Sequence, residues 1–157
     1  MAGTLERLDA EGGIRRLVGL YCDAVNRRDA DGAGLLFAPD AVIRIADGPE
    51  IVGQAAITEG MRGTFTAFTF LRQQSEPAAI DIEGDMARAR LSVFEATLKP
   101  GQDALSLLWG FYEDTYVKQA DGWRFHRRRY TLQLRTALPM AKVQAIEELD
   151  LGFRFAP

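Results

Sequence analysis

The sequence predicts an α+β fold in which N-terminal helices cover the concave face of a curved antiparallel sheet. Two observations carry this. Up to Met61 the chain reads mainly as three helices, the first with apolar residues at helical spacing, and beyond it long segments alternate with a period of two. Tight hairpin signals also join the late segments. EGD (Glu83 to Asp85) and QADG (Gln119 to Gly122) have the size and chemistry of short turns, with Gly supplying the positive φ they need. A meander of this kind has one apolar face to bury, and the helices are what can cover it.

Taken in order, Ile14, Leu17, Val18, Tyr21, Cys22 and Val25 form one helical stripe, so a first helix is expected from about Glu11 to Arg27. Asp29 or Asp31 can cap a short second helix through Leu36, ended by Pro39 and Asp40. Ala41 to Ala46 reads as a strand, a short extended piece follows at Ile51 and Val52, and Gln54 to Met61 reads as a third helix. Strand character then returns in FTAFTFLRQQ, AAIDI, MARARLSVFEATL, ALSLLWGFYEDTYVK and WRFHRRRYTLQLR. The C-terminal part contains a helical stretch at about Ala141 to Leu149, then Phe153 and Phe155, which can close a cavity mouth or dock on a neighbour. A single domain spanning residues 1–157 is expected, its core at about 11–136 and a C-terminal helix and tail at 137–157.

Composition narrows the function classes. The chain has 157 residues, 47% hydrophobic and 26% charged, which suits a soluble globular domain. Its 19 basic and 22 acidic residues give a net charge of −3, which argues against nucleic acid or an anionic membrane as partner. A lone Cys22 leaves no internal disulfide and no cysteine metal cluster, and fits a reducing cytoplasm. The opening MAGTLERLDAEGG lacks the apolar core of a signal peptide, so a cytoplasmic location is expected.

The runs LYCDAVNRRDADGAGLLFAPDAVIRIADG, VGQAAI and GFYEDTYVKQADGWRFHRR resemble, in order and spacing, the SnoaL-like branch of the superfamily that holds ketosteroid isomerase, scytalone dehydratase and nuclear transport factor two. The resemblance implies a cone-shaped α+β barrel: a curved antiparallel sheet wrapped around N-terminal helices. It also implies a hydrophobic pocket for a small apolar molecule, usually without metal or organic cofactor, and an open sheet face covered by another copy in a homodimer or other homo-oligomer. Proton transfers are the typical chemistry, whether isomerisation, dehydration, elimination or cyclisation. The expected function is therefore a cofactor-independent lyase or isomerase acting on a small cyclic or polycyclic oxygenated molecule. A non-catalytic protein binding a hydrophobic metabolite and a dimeric interaction module remain as alternatives, because one fold carries many functions.

Tyr21 matches the isomerase tyrosine that donates to a substrate oxygen; a core tyrosine bonded to backbone is the other reading. Asn26 matches a position where the dehydratases carry an aspartate. An amide there cannot take a proton but can orient a substrate, or it can cap the helix end. Counting back from the IEGD hairpin puts Arg72 where those relatives have a histidine, so their Asp-His dyad is absent; Arg72 can instead clamp a carboxylate or phenolate of a substrate, or snorkel out of the cavity mouth. Glu95 lies in phase with Leu91 and Val93, near an acidic residue of bile-acid dehydratase, and is a candidate base unless the strand turns it to solvent. Asp114, near the isomerase's protonated aspartate, is a candidate acid or the structural partner of Arg128 or Arg127. His126, the sole histidine, is a candidate acid or base, but alternation against Trp123 and Phe125 turns it and Arg128 outward unless the strand bulges. Phe37, Phe70, Val93, Trp109, Tyr112 and Tyr130 are candidates to line the cavity. No metal site is expected.

Overall fold

The computed structural model describes residues 2–139 and 141. Its elements run α1 (Ala2–Asn26), α2 (Ala30–Gly34), β1 (Phe37–Ile45), β2 (Glu50–Val52), α3 (Gln54–Thr66), β3 (Phe70–Glu83), β4 (Met86–Leu98), β5 (Ala104–Gln119) and β6 (Gly122–Pro139). Apart from Ala141, the expected C-terminal helix and the aromatic tail lie outside the described residues.

Helix α1 buries the predicted stripe, with Ile14, Leu17, Val18, Tyr21 and Val25 all in the core. It begins well before Glu11, as an exposed extension carrying Leu5 and Leu8, which periodicity alone does not mark. Between the capping candidates it is Asp29 whose carboxylate accepts from the Gly32 N–H at 2.9 Å and starts α2. Pro39 and Asp40 do not end that helix. They lie inside β1, in an irregular stretch between Phe37 and Val42.

Six strands form one sheet in the order β2-β1-β6-β5-β4-β3. The long strands pair antiparallel as expected, whereas β1 joins β6 in parallel, a pairing local alternation cannot reveal. The curved sheet is the α+β cone the sequence predicts, with α1 and α3 against its inner face. FTAFTFLRQQ is not all strand: Phe65 and Thr66 close α3, residues 67–69 form a turn, and Phe70 to Gln74 fuse with AAIDI into the single strand β3 across Pro77.

Three strand irregularities reset which side chains face inward. Where β3 meets β4, Pro77 pairs Leu91 and Ala79 pairs Arg90, so Ala78 is the extra residue of a bulge. On β6, His126 is extra between Phe125 and Arg127, and Gln133 is extra between Leu132 and Leu134. Each insertion reverses the period-two phase beyond it.

Candidate active site

Helices and sheet enclose a cavity of about 350 Å³ reaching Tyr21. Val25, Ile57, Met61, Phe65, Leu71 and Leu108 give it apolar walls, and Tyr21, Gln73, Glu95, Tyr112 and Tyr130 bring polar atoms into it. Exposed Lys99, Gln102 and Arg135 also line it, which marks the solvent side.

Strand β4 carries no bulge, so its alternation runs unbroken from Ala87 through Leu91 and Val93 to Glu95, and the carboxylate lines the cavity. Burial pushes the Glu95 pKa above the usual glutamate range, while Gln73 and Tyr130 pull it part of the way back. Gln73 Nε2 donates to Glu95 Oε1 at 2.6 Å and to the Tyr112 hydroxyl at 3.0 Å. The Gln73 Oε1 is buried without a hydrogen-bond partner among the described residues, and the Tyr130 hydroxyl, also buried, faces the Glu95 carboxylate whose pKa it lowers. Both atoms belong to residues of the cavity wall. Burial also raises the pKa of Tyr21, Tyr112 and Tyr130, Arg128 opposing it at Tyr21 and Arg135 at Tyr130. All three phenols are therefore neutral donors near neutral pH.

Arg72 does not occupy the place that counting from the hairpin gave it. The bulge at Ala78 shifts the count by one, leaving Arg72 exposed and placing Gln73, 3% exposed, on the inner face. The missed signal was Pro77, since proline within a strand marks an edge or a bulge. Asn26 does not line the cavity and caps nothing. Its Nδ2 donates to the Gln73 carbonyl at 3.0 Å and its Oδ1 accepts the Gln73 N–H at 2.7 Å, which clips the end of α1 to β3. An amide fits this double task because it carries one donor group and one acceptor.

Asp114 is likewise occupied. Arg128 Nε donates to its Oδ1 at 2.9 Å, Arg128 Nη2 to its Oδ2 at 2.6 Å, and the Tyr116 hydroxyl to Oδ2 at 2.9 Å. Both side chains of the ion pair are fully buried and neither lines the cavity. Arg128 is inward because the bulge falls at His126, and its guanidinium sits 4.3, 3.9 and 4.0 Å from the ring centres of Tyr21, Tyr112 and Phe125. His126 stays outside the cavity, one-third exposed, with Nε2 3.9 Å from Asp40 Oδ2.

Of the aromatic candidates, Tyr112 and Tyr130 line the cavity. Phe37 and Val93 are buried in the core away from it. Phe70 and Trp109 face outward, because Leu71 with Gln73 on β3 and Leu108 with Tyr112 on β5 hold the inward phase; Trp109 packs against Phe94 instead. Gly110 makes room for Tyr130: a Cβ there would stand 2.4 Å from the Thr131 carbonyl oxygen and 3.0 Å from the Tyr130 ring. Phe65 and Phe68 line the cavity where a strand was expected. Cys22 is half-buried with Sγ 3.0 Å from Ser75 Oγ. Among the described residues no group of three or more His, Cys, Asp or Glu could hold a metal ion, and no helix is long and apolar enough to cross a membrane.

The SnoaL-like domain family matches residues 6–129. Over 117 residues the chain is 27% identical to an uncharacterized protein of Mycobacterium tuberculosis, covering 73% of this chain and 80% of that one. Among solved structures it is similar to a proposed scytalone dehydratase from Novosphingobium aromaticivorans, 22% identical, with TM-score 0.79 over 90% of this chain and 99% of that one. It is also similar to a hexachlorocyclohexane dehydrochlorinase from Novosphingobium barchaimii, 14% identical, with TM-score 0.80 over 92% and 99% of the two chains.

Proposed function

The chain belongs to the SnoaL-like family, and from that premise we propose that it is a proton-transfer enzyme of the lyase or isomerase type, with Glu95 as general base. Its substrate is a small cyclic molecule, largely apolar, bearing an oxygen beside the reacting carbon. The observation that carries this reading is Glu95 itself, a carboxylate in the cavity wall whose proton affinity is raised by burial and whose Oε1 is aimed by Gln73. The fold shared with a dehydrochlorinase and a proposed dehydratase supports the same class of chemistry.

In this mechanism the Glu95 carboxylate removes a proton from a carbon next to a carbonyl. The carbonyl oxygen gains the negative charge and accepts a hydrogen bond from the Tyr130 hydroxyl, which faces Glu95 and is freed from it once that carboxylate has taken the proton. Protonated Glu95 then returns the proton to another carbon, which is isomerisation, or the enolate expels a leaving group, which is elimination. Neither Asp114 nor His126 takes a step, since one is held by Arg128 and Tyr116 and the other lies outside the cavity.

Deuterium exchange tests this without a known substrate. In deuterated water the protein should accelerate loss of the α-proton NMR signal of a cyclic ketone such as 1-tetralone or cyclohexenone. Glu95→Gln should slow that exchange by about 10² or more, the usual contribution of a placed general base. Equal rates in the two proteins would remove Glu95 from the role, and exchange no faster than in buffer for every ketone would remove the enzymatic reading.

A further inference from the structure

We propose that the substrate is an amphipathic anion, a ring system carrying a carboxylate that Lys99 and Arg135 hold at the cavity mouth while the rings lie inside. The inference rests on the cavity being a substrate site. Its own support is the charge arrangement along the lining. Among the described residues two of the lining side chains are cations, Lys99 and Arg135, and the single acid is Glu95. The chain as a whole is negative, at −3, so this concentration of positive charge runs against the global field.

Arg135 is at the cavity because of a specific backbone device. Gln133 is the extra residue where β6 passes β5, and beyond it Leu134 points to solvent while Arg135 turns to the lining. Without the bulge the phase of Tyr130 and Leu132 would carry the apolar Leu134 to the cavity and put Arg135 outside. Lys99 stands just past the end of β4, its ammonium 5.6 Å from the centre of the Phe68 ring, another lining residue. Gln102 is fixed beside it, its Oε1 accepting the Lys99 N–H at 3.2 Å.

The deep end is complementary in a different way. Gln73 Oε1 is a buried acceptor without a donor among the described residues, and the buried Tyr130 hydroxyl beside Glu95 still has room to accept. A ligand with a hydroxyl on its ring would satisfy them, since only a donor can pair with an amide oxygen. Glu95 would repel a carboxylate from that end, so the two charges of the site orient the ligand: oxygenated ring inward, anion at the mouth.

Calorimetric titration with 2-naphthoate and its neutral methyl ester separates the charge from the ring. Near neutral pH and in low salt the acid should bind at least about fivefold more tightly than the ester, a modest factor suited to solvent-exposed cations. Added salt should shrink the margin. In the surface variant Lys99→Gln with Arg135→Gln the acid should fall to the ester's affinity while the ester is unchanged. Equal affinity for acid and ester, an unchanged margin in the double variant, or no saturable binding of either probe would overturn the proposal. Since binding is read without turnover, any of these leaves the role of Glu95 to be decided by deuterium exchange alone.

Discussion

Glu95 joins stability to chemistry through one proton. Burial raises its pKa in the folded protein, so the folded state holds that proton more tightly than the unfolded chain does. Stability from this group is therefore greatest below the ordinary glutamate range, and it is lost as pH rises from that range through the raised folded value. Glu95→Gln removes the titration. Its melting temperature should match the wild type at acidic pH and exceed it near neutral pH, each kcal/mol being worth about 2–4 °C for a chain of this size. A gain that is the same at both pH values would show that Glu95 is not held against a raised pKa. The residue was legible in the sequence because β4 alternates without interruption to Glu95. Gln73 was not, although its Nε2 donates to that carboxylate at 2.6 Å. Its phase depends on one inserted residue, and alternation carries no record of an insertion.

Between elements, the contact of α1 with β3 is where side-chain chemistry and backbone geometry meet. Asn26 holds both backbone groups of Gln73, whose side chain in turn holds Glu95 and Tyr112. Asn26→Asp keeps the shape but cannot donate, and it sets a carboxylate against the Gln73 carbonyl. A loss of about 1–3 kcal/mol in urea unfolding is expected, the usual penalty for stranding a partly buried polar partner. No loss would mean that the clip does not bear on the joint. Strands β4 and β5 could be read almost to their ends, since their alternation is regular and turn residues flank them. The passage from α3 to β3 could not, because Phe and Thr favour strands while Phe65 is helical and packs into the cavity wall.

Across the whole molecule, the buried Asp114–Arg128 pair ties the parts together: the carboxylate comes from β5, the guanidinium from β6, and the ring of Tyr21 on α1 covers it. Arg128→Met leaves Asp114 buried without its counter-ion and should lose about 3–5 kcal/mol, read by urea denaturation. Adding Asp114→Leu should recover a large part of that loss. Simple additivity of the two losses would show that the charges do not depend on each other. The α+β class and the cone were legible from periodicity and resemblance, but the position of β6 was not. It lies between β1 and β5, and its pairing with β1 matches Phe37 to Phe125 and Ile45 to Tyr130. That topology has a temporal consequence. During synthesis β1 emerges about eighty residues before the strand it pairs with, so its inner edge stays unpaired until β6 follows. Closure of the sheet is thereby deferred to β6, with the slowness that distant pairings impose.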